Sequence, residues 1–201
     1  IKRDFEPAKE KWSLAGGFVR KDESLDDAAN RILFSLTGLS DLYLEQSYTY
    51  GRIDRDPGAR VISTSYSALI KIKDLDRELK ELHGAHWQSL SRLPHLIFDH
   101  QEMVKKALGD LQMTIKVKPV GFALLPEKFT LVQLQDLYEA IYQRKIDKRN
   151  FRKKILSMNI LEKLDEKEKE TSKKGAWYYR FNRESYELHR KQGFYFNLDV
   201  N

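Results

Sequence analysis

The spacing of hydrophobic positions changes several times along this chain, and each change marks an element. After Ser24, the residues Leu25, Ala28, Ala29, Ile32, Leu33 and Leu36 recur at i, i+3 and i+4, the spacing of one helical face. Ser24 stands where an N-cap belongs, Asp27 completes a capping box, and Gly38 occupies the position of a left-handed C-cap. Ahead of this helix, WSLAGGFV (12–19) predicts a strand broken by a glycine pair. YLEQSYTY (43–50) and VISTSYSALI (61–70) are rich in β-branched and aromatic residues and predict two further strands. GRIDRDPGAR lies between them as a loop with Asp-Pro and Pro-Gly turn signals. Residues 85–90 predict a short strand and 99–109 a helix. Strands interleaved with helices in this way predict an α/β sandwich.

Near 111–121 the pattern loosens into a strand-like connector, TIKVKPVGF. The expected boundary falls there, giving domains 1–115 and 116–201. Thr130 then caps a helix, LVQLQDLYEAIY, and the turn QRKI leads to Asp147, which caps a second, KRNFRKKILSM. Phe151, Ile155 and Leu156 are the expected core side of that second helix. ILEKLDE and AWYYRF predict a ribbon around the polar tip KEKETSKKG, and 183–191 predicts a last helix. Helix, short turn, helix, ribbon is the order of a winged helix-turn-helix.

Charge sharpens this division. Residues 1–110 hold 17 Lys and Arg against 18 Asp and Glu, while 111–201 hold 19 against 12. The whole positive excess lies in the second part, which points to a polyanionic partner there. The absence of cysteine excludes disulfides and thiolate metal sites and fits the cytoplasm. No run reaches the roughly 18 apolar residues of a membrane span, so no membrane partner is expected.

The first domain carries a spacing of its own. Gly17, Glu23, Arg31, Leu33, Gly38 and Leu39 resemble the Nudix box, G-x5-E-x7-R-E-U-x-E-E-x-G-U with U aliphatic. Ile32, Ser35 and Leu36 stand where the box has glutamates. These three share one helical face, which in a Nudix hydrolase gathers carboxylates around Mg²⁺. A hard cation needs oxygen ligands, and Ile and Leu supply none. Metal-assisted hydrolysis by the usual route should therefore be lost, so the reading is of a protein that is not an enzyme and has neither cofactor nor metal.

A degenerate Nudix-like domain followed by a winged helix resembles the Nudix-related transcriptional regulators. RDFEPAKEKWSLAGGFV, DRDPGARVIS, LPHLIFDH and LYEAIYQRKIDKRNFRKKIL are similar to that family's segments. LLPEKFTLVQLQDLYEAIY and DKRNFRKK are most similar to its arabinose-responsive repressors. The resemblance implies a Nudix-like α/β/α sandwich that senses a small molecule, L-arabinose or alternatively ADP-ribose or another nucleotide, joined to a winged helix that binds operator DNA as a homodimer; an active Nudix hydrolase with ligands drawn from elsewhere is the less favoured reading. It also implies a leading strand before IKRDFEP. Effector binding would release the DNA by favouring a conformation in which the two reading heads no longer fit their half-sites.

Candidate residues follow from this arrangement. In a recognition helix the first turn reaches base edges. Arg149 suits guanine and Asn150 suits adenine, whereas Lys153 and Lys154 suit phosphates, and Lys148 and Arg152 belong to the same basic DNA-binding face. Lys173 and Lys174 lie at the ribbon tip, and Thr130 and Gln133 open the preceding helix, whose N–H groups favour a phosphate. Tyr178 and Tyr179 fit packing better than base stacking. For the effector, the candidates are Arg3, Glu6, Arg52, Asp54, Arg55, Asp56, Asp99 and His100, with Trp12 or Trp87 as an aromatic face. Several of these have a structural reading as well: Asp56 as a turn former, Asp99 as a helix cap, His100 as a buried structural histidine, and Glu23 with Arg31 as an internal ion pair.

Overall fold

The computed structural model describes residues 1–40, 42–70, 84–169 and 175–198. The chain divides into two compact units, Ile1–Ala107 and Leu108–Asn201.

In the first unit, helix α1 spans Leu25–Thr37, as its periodicity predicts. The Ser24 hydroxyl accepts from the Asp27 N–H at 3.1 Å, and the Asp27 carboxylate receives the Ser24 N–H and O–H in return. Gly38 closes the helix at φ 69°, donating to the Phe34 carbonyl at 2.8 Å. Strands β1 (Glu45–Tyr50) and β2 (Ser63–Ser67) pair antiparallel, with a register break between Gln46 and Thr49.

Two predicted strands are absent from their places. Residues 12–19 form only isolated bridges, Lys2 to Trp12 and Trp12 to Leu96. Beyond Trp12 the chain passes through the Gly16–Gly17 pair into the loop before α1, where Gly17 lies against Ile32. Residues 85–90 are irregular and lead into a 3-10 turn, Leu90–Arg92. Trp87 and Leu90 are exposed there, so no apolar face is available to hold a strand in register.

Helix α2 runs His100–Val117 and takes in most of the segment read as a strand-like connector. Its β-branched residues Thr114, Ile115 and Val117 argued for extended chain, but packing overrides that preference. Ile115 is fully buried in the core of the second unit. The helix stops where Pro119 would remove a donor and clash with the preceding turn.

The second unit then forms a 3-10 turn (Val120–Leu124), β3 (Phe129–Thr130), α3 (Leu131–Tyr142), α4 (Lys148–Ser157), β4 (Leu161–Glu168), β5 (Ala176–Phe181) and α5 (Arg183–Lys191). The strands pair antiparallel in the order β3-β5-β4, which is a winged helix. Leu134, Tyr138 and Ile141 of α3 meet Phe151 and Ile155 of α4 over Phe129 and Ile160. Burying a side chain the size of Phe151 contributes about 1.5–3 kcal/mol. A Cβ at Gly121 would lie 3.3 Å from the Tyr138 ring, a contact tight enough that the ring would have to give by a few tenths of an ångström. Leu156 departs from the expected core side. It is 42% exposed, since the buried face of α4 continues from Phe151 and Ile155 to Met158. Among the described residues, no helix is long and apolar enough to cross a membrane.

Candidate nucleic-acid interface and effector-side cluster

The turn between α3 and α4 fixes how α4 is presented. Glu139 reaches across it and accepts from the Lys145 ammonium at 2.6 Å, the Ile146 N–H at 3.1 Å and the Gln135 amide at 2.9 Å. Gln135 also donates to the Ile146 carbonyl at 3.0 Å. The Lys145 ammonium, then Gln135 and the Ile146 N–H, hold the Glu139 carboxyl down at about 2. Gln143 makes the turn possible by adopting a left-handed conformation, φ 55°. The sequence reading missed Glu139 and Gln135. Their i, i+4 spacing beside a short turn was the available signal.

Helix α4 begins at the Asp147 cap, whose carboxylate accepts the Asn150 N–H at 2.8 Å. This leaves the Asn150 side chain available outward. Lys148, Arg149, Asn150 and Lys153 are exposed, while Arg152 and Lys154 are half-buried. Among the described residues the buried Arg152 Nε has no hydrogen-bond partner, so packing orients this guanidinium from behind. Cationic and amide groups thus line the first turn and outer face of a helix anchored underneath by Phe151 and Ile155.

Thr130 and Gln133 sit differently from expectation. Thr130 is only 3% exposed. Its hydroxyl accepts the Gln133 N–H, and the Gln133 amide oxygen accepts the Thr130 N–H. The capping box therefore occupies the groups assigned to a phosphate, and both residues act here as a helix cap. Tyr179 pairs with Phe129 in the sheet and packs on the core, as a strand tyrosine should, and Tyr178 lies 5.2 Å beneath the Lys128 ammonium. Lys173 and Lys174 lie outside the described residues.

In the first unit, Arg31 holds the loop before α1. Its Nε donates to Glu23 at 2.8 Å, and its Nη2 donates to Glu23 and to the Phe18 carbonyl. The Arg31 guanidinium brings the Glu23 carboxyl down to about 2. The frame of the box is thus built, and its metal positions are filled otherwise. Ile32 packs under Gly17, where a Cβ would come within 3.0 Å of it. The Ser35 hydroxyl donates to the Ile32 carbonyl at 3.0 Å.

Of the effector candidates, Arg3, Arg55, Asp56, Asp99 and His100 come together. The first four all act electrostatically on the His100 imidazole. Arg55 and Asp99 form a buried bidentate pair, both contacts at 2.8 Å, and Arg55 also donates to Ser63 at 2.6 Å. They face each other rather than an opening, so they position the loop against β2 and the start of α2. His100 accepts the Leu14 N–H through Nδ1 at 3.1 Å, and burial lowers its pKa below 6.5. The half-buried Arg3 guanidinium lies 3.7 Å from the Phe5 ring and 5.8 Å from Phe98. Arg52 and Asp54 form an exposed pair with each other at 3.4 Å. Glu6 is exposed. The Trp12 ring, one expected sugar platform, is met edge-on by His86 at 5.5 Å and approached by Lys2.

Comparison with known proteins places both units. Residues 1–107 match the NUDIX domain, and residues 121–181 match the NrtR DNA-binding winged helix domain. Over 192 residues the chain is 31% identical to the "ADPR responsive transcriptional repressor NtrR" of Acinetobacter baylyi, covering 94% of this chain and 76% of that protein. It is 35% identical over 109 residues to the ADP-ribose pyrophosphatase of Methanocaldococcus jannaschii, covering 52% of this chain and 62% of that protein. The crystal structure of Shewanella oneidensis NrtR complexed with a 27mer DNA superposes with a TM-score of 0.75 at 26% identity, covering 99% of this chain and 90% of that one. The chain belongs to the Nudix-domain transcriptional regulators with an NrtR winged helix: ligand-responsive, DNA-binding repressors with a Nudix-like sensor domain.

This overturns two expectations. The chain groups with the NrtR-type repressors rather than with arabinose-responsive ones, and L-arabinose is corrected as the effector by the relative that matches over nearly the whole chain. The expected sugar site included an aromatic face from Trp12 or Trp87, and the Lys2 ammonium lies over the Trp12 ring, 5.5 Å from its centroid.

Proposed function

We propose that this protein is a transcriptional repressor that binds operator DNA through α4 and is released from it by ADP-ribose, which it binds without cleaving. One observation carries the reading: the Glu23–Arg31 frame is intact, while Ile32, Ser35 and Leu36 stand where hydrolysis needs carboxylates. Such a site keeps the shape of a nucleotide-processing domain and lacks the oxygens that would hold Mg²⁺ against a diphosphate. Similarity to a repressor named for ADP-ribose and to an ADP-ribose pyrophosphatase supports the choice of ligand.

In this reading Arg149 and Asn150 read bases, and Lys148, Arg152, Lys153 and Lys154 hold phosphates, joined by Lys173 and Lys174 at the wing. On the effector side, Arg3 and Arg52 suit the diphosphate and Asp56 the ribose hydroxyls, while Arg55, Asp99 and His100 hold the loop that presents them. The protein acts as a homodimer on two half-sites, in the cytoplasm, where its DNA is. ADP-ribose shifts the balance only by the difference in its affinity for the DNA-competent and DNA-incompetent conformations.

The test is DNA binding by the full chain with and without ADP-ribose, followed by recovery of the nucleotide after incubation with Mg²⁺. Release of DNA with intact ADP-ribose is expected. Mg²⁺-dependent loss of ADP-ribose would instead favour an active hydrolase drawing its ligands from elsewhere.

A further inference from the structure

The ribbon of the winged helix holds a second cationic feature, separate from α4. Trp177 on β5 is 36% exposed, although indole is among the most costly surfaces to leave in water. Two ammonium groups approach its ring: Lys163 at 4.0 Å and Lys167 at 4.3 Å from the centroid. On a ribbon, a residue two positions along from a cross-strand partner still lies within reach of a long side chain. Lys163 pairs with Tyr179 and Lys167 with Trp177, and the register shifts between them. Lys167 therefore lies opposite the indole and Lys163 beside it on the same face of the ribbon.

The other charges of the ribbon sort themselves differently. Lys128 is paired with Glu166 at 2.5 Å and Arg180 with Glu162 at 2.9 Å. Among the described residues, neither Lys163 nor Lys167 has a carboxylate partner. Two like charges are held around one ring, each steadied by the ring's quadrupole. Gly175 helps to set the place of Lys167: at φ 70° it lies where a Cβ would come within 3.1 Å of the Glu168 carbonyl and 3.2 Å of the Lys167 Cβ.

We propose that Lys163 and Lys167, organised by Trp177, form a phosphate clamp on the backbone of duplex DNA. The inference rests on the DNA-binding reading above and adds two contacts to those it gives α4 and the wing. The indole limits the rotamers of two otherwise flexible side chains, so less order is lost when they meet phosphates. The contact carries no sequence information, because phosphate contacts set register and orientation only. Lys163 and Lys167 are thus binding residues and Trp177 is a positioning residue.

The test measures affinity of the full chain for a duplex enriched from a random library, and for a scrambled duplex, across a range of salt. The logarithm of affinity falls with the logarithm of salt by about 0.9 per phosphate neutralised. Lys163→Gln with Lys167→Gln should therefore flatten that slope by about two units. Affinity should fall on both duplexes alike, leaving their ratio unchanged. Trp177→Leu should weaken binding with the lysines still present, and Trp177→Phe should restore most of the loss. An unchanged slope in the double variant, in a protein that binds DNA normally, overturns the clamp and leaves the DNA-binding reading standing. A loss confined to the enriched duplex also overturns it, since the ribbon would then be reading bases. Failure of the unaltered chain to bind any duplex removes the DNA-binding reading, and the clamp with it.

Discussion

The Ile146 N–H donates to Glu139 across the turn that joins α3 to α4, with the Lys145 ammonium on the second carboxylate oxygen. This relationship sets the angle at which the basic helix leaves the domain, so its loss should affect DNA binding and stability together. Glu139 is held at about 2 against an ordinary 4.5. A depressed carboxyl contributes stability that is complete above the unfolded value and disappears as pH falls through the folded one. Glu139→Gln should therefore lower the urea midpoint near neutral pH. The gap from the unaltered protein should close between about 4.5 and about 2. A gap independent of pH would show that the carboxylate charge is irrelevant to the turn.

His100 should give the first unit an acid sensitivity in a different window. Its Nδ1 accepts the Leu14 N–H and must be unprotonated to do so. Burial puts the folded pKa below 6.5, so the unfolded chain takes up the proton first. Stability from this group is complete above about 6.5 and declines as pH falls below it. Hydrogen exchange of the Leu14 amide across that range should show faster opening in acid. His100→Gln should be less stable near neutral pH and should lose the dependence.

The core of the winged helix gives a prediction of size. Phe151 is fully buried between α3 and α4, and Phe151→Ala should cost about 3–5 kcal/mol. Denaturant unfolding of the second unit's transition measures it. A cost under 1 kcal/mol would mean that the two helices do not meet as described.

Arg149 and Lys153 should separate by the kind of loss they cause. Arg149→Ala should lower affinity for an enriched duplex by about 1–3 kcal/mol and relax preference at one base position. Lys153→Ala should weaken all duplexes alike and reduce the salt slope by about one unit. Competition binding with single-base variants distinguishes these outcomes.

What the sequence revealed depended on how local the determinant was. The capping boxes at Ser24 and Thr130 and the αL glycine at Gly38 lie within a few residues of the helices they bound, and α1 and α3 fall where those signals put them. Glu23 and Arg31 were legible as a pair because a fixed spacing marks them. Helix α2 was shortened in the sequence reading because Ile115 is helical by virtue of a core assembled from distant residues. The strand expected at 12–19 met only Lys2 and Leu96 as bridge partners, and alternation alone cannot reveal whether a partner strand exists. In the effector cluster, the loop wording picked out Arg55 and Asp99 but not that they bond to each other across 44 positions in sequence. The lysines around Trp177 were invisible for a similar reason, since the pairing of two strands brings them to one ring.

The most direct measurement is fluorescence anisotropy of a labelled duplex, enriched from a random library, bound to the full chain and titrated with ADP-ribose or with L-arabinose. The account predicts that ADP-ribose returns the anisotropy to that of free DNA and that L-arabinose leaves it unchanged. A complex insensitive to ADP-ribose, or dissolved by the pentose alone, would contradict it.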